Sequence, residues 1–154
     1  MRIPLAVALL SLSCTKAPES WPITEADEYA VYQAILDVDR MTPLLKAKVE
    51  AVTSAQELSA LEVPEGFDPV AFAGFRAANA TPRKLDVSRL RTARPPNADA
   101  PVEQFQFSRI GFDDRGMRAV LTARTGSTGN LFELVRAVDG HWAVTRIRML
   151  WIYD

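Results

Sequence analysis

Residues 117–124 read Met-Arg-Ala-Val-Leu-Thr-Ala-Arg, and this stretch decides the fold. Met117, Ala119, Leu121 and Ala123 alternate with Arg118, Val120, Thr122 and Arg124, the period of two that belongs to a β-strand. Working outward, Asp113-Asp114-Arg115-Gly116 supplies a turn before it, and 102–112 places Phe105 and Phe107 among polar neighbours as a preceding strand. On the other side, Thr125–Asn130 is a glycine-bearing turn and Leu131–Val138 a third strand. Asp139-Gly140 predicts a two-residue hairpin, because that pair tolerates positive φ. Trp142–Tyr153 is then a fourth strand. Four strands on short turns make an antiparallel meander with one face to bury.

The helices to cover that face come earlier. Thr24 and Asp27 form a capping-box variant, and Glu25, Asp27 and Glu28 put negative charge on the first turn, where the helix dipole favours it. Tyr29, Val31, Tyr32, Ile35 and Leu36 follow as apolar bulk of a helix over 24–36. Asp68-Pro69 predicts a second N-terminus, with Asp as cap and Pro in the first turn. Val70, Phe72 and Phe75 give this helix its core side chains, and Asn79 is placed as its end through left-handed geometry. Leu44–Leu61 fits both periods; Lys46–Val52 leans to strand and Ser54–Leu61 to helix. Residues 92–101, with Pro95, Pro96 and Pro101, read as a surface loop. The expected fold class is α+β: N-terminal helices packed on an antiparallel sheet that ends in a four-strand meander.

The 154 residues fit one domain, and 48% apolar with 24% charged residues is ordinary globular composition. A single cysteine excludes an intrachain disulfide and any multi-cysteine metal site. The N-terminus carries Arg2, then the apolar run Ile3–Leu12 broken only by Ser11, then Ser13 and Cys14. That run is far short of the roughly 20 residues a spanning helix needs, and it suits the core of an export signal. Cys14 after a small residue resembles the lipobox of bacterial lipoproteins, with Ser11 where that pattern prefers Leu. The resemblance implies residues 1–13 as a signal peptide, Cys14 as the lipidated (palmitate-bearing) N-terminus, and 14–22 as a linker. Residues 23–154 then form a single globular domain. Thr15, rather than Asp, after the cysteine implies an outer-membrane location facing the periplasm or the surface. Plain export to a secreted or periplasmic form, and a buried free thiol in a cytosolic protein, are the alternative readings of the same residues.

The chain also resembles a family of uncharacterised bacterial exported proteins and lipoproteins. The likeness is carried by Phe107-Ser108-Arg109-Ile110-Gly111-Phe112, Gly116, Ala119-Val120-Leu121, Gly126, Gly129, Leu134 and Asp139-Gly140-His141-Trp142. It implies the signal sequence and the helix-then-sheet order but brings no activity. Many members carry two cysteines in the loop that here reads Thr125-Gly126-Ser127-Thr128-Gly129-Asn130, so no loop disulfide carries over.

No catalytic constellation and no metal or cofactor site is expected. His141, the only histidine, follows a tight turn, where a polar residue is routine, and no spaced His/Asp/Glu cluster accompanies it. Thr125–Asn130 lacks the lysine and the following helix of a phosphate cradle. Asp113 and Asp114 are turn residues first. Charge is more informative. Residues 14–75 carry net −7 and 76–148 net +6, mostly as arginine. Arg76, Arg83, Lys84, Arg89, Arg91 and Arg94 crowd one connector. By the period of two, Arg118 and Arg124 share one strand face, and Arg146 and Arg148 share another with Trp142. Trp142 is thereby placed as exposed or at a rim, whereas Trp151 falls with Ile147 and Met149 on the buried side. One reading of Arg118, Arg124, Arg146, Arg148 and Trp142 is a surface for an anionic envelope component or protein. The other is intramolecular neutralisation of the acidic helices, with the rest solvated. Phe105, Phe107, Trp142, Trp151 and Tyr153 suggest core before a sugar-stacking platform. Inferred export argues against nucleic acid. The functional expectation is a membrane-anchored lipoprotein with a binding or structural role, its partners membrane lipid through Cys14 and an anionic component. The rival is a small cystatin-like or nuclear-transport-factor-like ligand-binding domain or enzyme of the envelope.

Overall fold

The computed structural model describes residues 20–38, 48–50, 52–53, 62–91, 104–125 and 128–152. Cys14, Arg94, Ser54–Leu61 and Tyr153 lie outside the described residues. The architecture is α+β. Helix α1 spans Glu25–Leu36 and α2 spans Pro69–Ala78. The strands are β1 (Lys48–Val49), β2 (Gln104–Phe107), β3 (Gly111–Phe112), β4 (Arg118–Thr125), β5 (Thr128–Arg136) and β6 (Trp142–Ile152). Among the described residues they form one sheet in the order β1-β2-β4-β5-β6, with β3 also paired to β4. All pairings are antiparallel except β1 with β2.

Both helix starts follow local chemistry. Thr24 and Asp27 exchange side-chain and backbone hydrogen bonds in a full capping box. Asp68 Oδ1 accepts from the Val70 and Ala71 amides at 3.1 and 2.8 Å, satisfying donors that a helix start leaves orphaned. Asn79 ends α2 without left-handed geometry, at φ −84°. Its side chain does the work instead. Nδ2 donates to the Phe75 and Arg109 carbonyls, and Oδ1 accepts from the Arg109 amide at 2.8 Å. The helix end is thereby stitched to the segment between β2 and β3.

The predicted 102–112 strand divides into β2 and β3, both paired with β4. Buried Ser108 makes the break: its Oγ donates to Arg109 O and accepts from the Thr122 amide at 2.8 Å. The 137–141 hairpin has a three-residue rather than a two-residue loop. Ala137 N–H donates to His141 O, Gly140 N–H to Ala137 O, and Gly140 takes φ +89°, the three-residue solution with a left-handed last position.

The sheet buries two faces, where the sequence reading expected one. Tyr29, Tyr32, Ile35 and Leu36 of α1 pack with Ala119, Leu121, Ala123, Phe132 and Leu134. Ala71, Phe72 and Phe75 of α2 pack with Phe67, Val120 and Leu131 on the other side. Neighbouring strand residues point to opposite faces, so both apolar sets of β4 and β5 find a helix. Fully burying each such Phe, Leu or Ile contributes roughly 1.5–3 kcal/mol. The α2 side is very close. A Cβ on Gly74 would lie 2.9 Å from the Phe112 carbonyl oxygen, and one on Gly111 would enter the backbone of Phe75.

Candidate functional site

Glu133 lies in the middle of β5, fully buried, on the sheet face that α2 covers. Its register partners are Val120 on β4 and Arg146 on β6. Oε1 accepts from Arg118 Nη1 at 3.0 Å and from Arg146 Nη1 at 3.1 Å. Oε2 accepts from the Asp68 amide at 2.6 Å, at the cap of α2. Asp68 Oδ2 lies 3.9 Å from Arg118 Nε. One carboxylate therefore ties three strands to a helix start, and the two arginines are balanced by two acids. A buried charge is tolerated only when paired and hydrogen-bonded in this way.

The predicted arginine surface thus divides. Arg118 and Arg146 are brought together, as partners of a buried acid. Arg124 is half-buried on β4, in register with Gln106 and Gly129, and Arg148 is exposed on β6. Neither has a charged partner among the described residues. Trp142 is not with them. It is 8% exposed on the α1 face, 5.8 Å from the Phe112 ring, so the rim placement is corrected. Ile147 and Met149, placed on the buried side by sequence, are 44% and 55% exposed. A β-bulge separates Trp142 from the arginines and puts Ile147 and Met149 on Trp142's own face, in register with Phe132 and Asn130, where they stay exposed along the sheet edge. Leu134 pairs with Val144 but Glu133 with Arg146, so Thr145 is an extra residue and the parity of β6 inverts across it. Among the described residues β6 is the edge strand of the sheet, and every residue from 145 to 149 is exposed.

Beside this edge runs the segment 62–67. Gly66, at φ +84°, lets it pass Arg146, whose Nε would be 3.0 Å from a Cβ at that position. Glu62, Val63, Pro64 and Glu65 face Arg148, Met149 and Leu150 across a groove of about 630 Å³. Two carboxylates and one guanidinium line it, with no ion pair between them within 4.0 Å among the described residues.

Three arginines of the connector pair with acids of α1 and its C-terminal cap. Arg83 pairs with Glu25 and Glu28, Arg89 with Glu25, and Arg91 with Asp37. Arg89 also stacks 3.8 Å from the Tyr29 ring centroid. A further cluster, invisible in sequence, centres on Arg136. Its Nη2 meets Asp27 Oδ1 at 2.7 Å, and its guanidinium stacks 4.2 Å over Trp21 and 5.6 Å from Trp142. Trp21 N–H donates to Arg115 O at 2.7 Å, so the chain entering the domain is clamped to the 113–116 turn.

His141 is exposed, and its Nδ1 lies 3.1 Å from Asp139 Oδ2. The His141 backbone N–H, then its ring, hold the Asp139 carboxyl below the usual range. The Ser88 hydroxyl and amide do the same for Asp86. Burial pushes the Tyr32 phenol well above its ordinary value; its hydroxyl donates to Ser108 O at 3.1 Å. None of these groups faces the 62–65 groove. Among the described residues there is no group of three His, Cys, Asp or Glu able to hold a metal, and no helix is long and apolar enough to cross a membrane. The side chains of Phe105 and Trp151 lie outside the described part.

No family model, curated protein or solved structure matches this chain.

Proposed function

We propose that this chain is an exported lipoprotein, acylated on Cys14, whose domain serves the cell envelope by binding rather than by catalysis. The leader-like residues 1–13 and the lipobox-like Ser13-Cys14 support the anchor. One acyl chain holds a protein only marginally at a membrane and several hold it stably, which is what a lipidated N-terminal cysteine provides. The scaffold of this reading is early helices packed on a sheet that ends in a C-terminal meander. The single structural observation that carries binding is the run 145–149 of β6. It is exposed throughout, at a sheet edge, and Arg148 within it has no charged partner among the described residues. Natural domains usually blunt such an edge; here it keeps Ile147 and Met149 on show beside arginine. The partner is an anionic or acid-bearing envelope component.

The anchor is tested by metabolic labelling with a fatty acid, whose label passes to the chain through Cys14. Cys14→Ala removes the label and releases the protein from the membrane fraction; equal labelling of both forms refutes it. Binding is tested by retention of envelope extracts on the immobilised protein. Retention that falls with salt and with Arg148→Glu supports the reading, and retention indifferent to both removes it. The rival, a small ligand-binding domain or enzyme, is favoured by one observation, the groove itself. Turnover or saturable uptake of a small metabolite, lost on Arg148→Glu, would favour it.

A further inference from the structure

The β6 edge and the segment 62–65 together form a channel with a strand for one wall. We infer that it takes an extended peptide segment of a partner protein, which adds to the sheet as a strand beside β6. This rests on the binding reading above and names its partner. Three observations converge.

First, β6 pairs only with β5 among the described residues, so alternate N–H and C=O groups along 145–149 point outward. Those groups give a partner strand its affinity, and the flanking pockets give specificity. Second, the two sides of the edge differ in chemistry. Ile147 and Met149 are exposed apolar surface, whereas Arg148 lies on the other face, in register with Leu131. Third, Glu62 and Glu65 stand across the groove from Arg148. The complementary strand alternates. Apolar residues lie over Ile147 and Met149, an acidic residue meets Arg148, and a basic residue two positions along meets the Glu62–Glu65 side.

A second copy paired about the middle of this run does not fit. An antiparallel β6 pair about a twofold keeps each face continuous, so arginine meets arginine wherever the axis falls within 146–148. Centred on Arg146 it sets Arg146 against itself, and on Arg148, Arg148 against itself. Centred on Ile147 it sets Arg146 against Arg148. Like charges directly opposite destabilise a strand pair.

The test uses the full chain and a fluorescent, end-blocked heptapeptide, Thr-Val-Glu-Val-Lys-Val-Thr, followed by anisotropy. Two controls replace its Glu and Lys with Gln, or its central Val with Pro. Binding should be saturable, and the Gln peptide about fivefold weaker for the loss of a cross-strand charge pair. The Pro peptide should not bind, and Arg148→Glu should weaken the first peptide about tenfold. Amide exchange should slow at 145–149 on binding. Absence of binding up to millimolar peptide, equal binding of the Pro or Gln peptide, or indifference to Arg148→Glu overturns the proposal. So does a concentration-dependent dimer that occupies the edge. The same titration on Cys14→Ala separates this proposal from the anchor. Peptide binding without membrane retention of the natural chain would remove the lipoprotein reading and leave this one.

Discussion

Glu133→Gln is the sharpest probe of the scaffold, because the side chain is 0% exposed and its size is conserved. The carboxylate accepts three hydrogen bonds: from Arg118, Arg146 and the Asp68 amide. The amide keeps two at most, with its carbonyl oxygen facing the two arginines, weakened by the loss of charge, and then sets its NH₂ against the Asp68 N–H; the reverse orientation keeps only the Asp68 bond. Hydrogen bonds to a charged acceptor contribute about 1.5–3 kcal/mol each. Arg118 and Arg146 are 41% and 45% exposed, so water recovers part of that loss. The net cost is about 2–3 kcal/mol, a fall in Tm of roughly 6–12 °C for a domain of this size. Urea unfolding should show a lower midpoint with an unchanged slope. The arginines make the argument stricter. Arg118→Ala or Arg146→Ala alone costs about 1 kcal/mol, since the other cation remains. Together they leave a buried carboxylate with one N–H and no cation, at about 3–5 kcal/mol. A loss of under about 0.5 kcal/mol for Glu133→Gln, or an additive double mutant within that margin, refutes the reasoning.

Gly111→Ala should prevent folding or cost more than about 3 kcal/mol, because its methyl would enter the Phe75 backbone where α2 crosses β3; far-UV circular dichroism and expression in soluble form check it. Tyr32→Phe should cost about 1 kcal/mol at neutral pH through the lost bond to Ser108 O. It should also change the alkaline limb. Burial raises the folded phenol above the unfolded value of 10.0, so the native state holds a proton that the unfolded state has lost. Stability is full below pH 10 and declines as pH rises beyond it. Without Tyr32 that decline should be shallower in urea midpoints measured from pH 9 to 11; an identical decline refutes the assignment.

What sequence could reveal is what local chemistry decides. Thr24-Asp27 and Asp68-Pro69 announce helix starts because the groups that satisfy the first amides are within three residues. The alternation of 117–124 announces a strand, since its period is a property of the backbone. Three features escaped for one physical reason, that long-range contacts set them. The bulge at Thr145 inverts the faces of β6, and only pairing with β5 places it. Val120, alone among Arg118, Thr122 and Arg124, looked incidental on a polar face; α2 makes it core. Glu133 read as one polar residue in the strand Leu131–Val138. Its acidity among the apolar residues of Leu131–Val135 was the available signal, since a charge in such a run requires a partner. Parity singles out Arg118 and Arg146 as a surface or as neutralisers of the acidic helices, but a strand acid as their shared partner is a long-range pairing that parity does not show.

The division between the arginines follows from where the charges must be spent. Arg118 and Arg146 flank a buried acid and cannot leave it without exposing the fold to the cost of an unpaired charge, so they are poor donors to any outside ligand. Arg148 lies two residues farther along β6, past the reach of Glu133, and is available. The tether makes no such division. Trp21 is clamped at the 113–116 turn, and Trp142 opens β6 beside it through their shared stack on Arg136. With Cys14 acylated as proposed, six residues lie between the anchor and Trp21, a reach of about 25 Å at most. Arg148 is six residues beyond Trp142, roughly 20 Å farther along the strand. The reach of the proposed tether exceeds the distance from the clamp to Arg148, so the tether by itself holds the 62–65 groove neither against the lipid nor away from it, and what keeps the edge open to a partner strand is the exposure of 145–149.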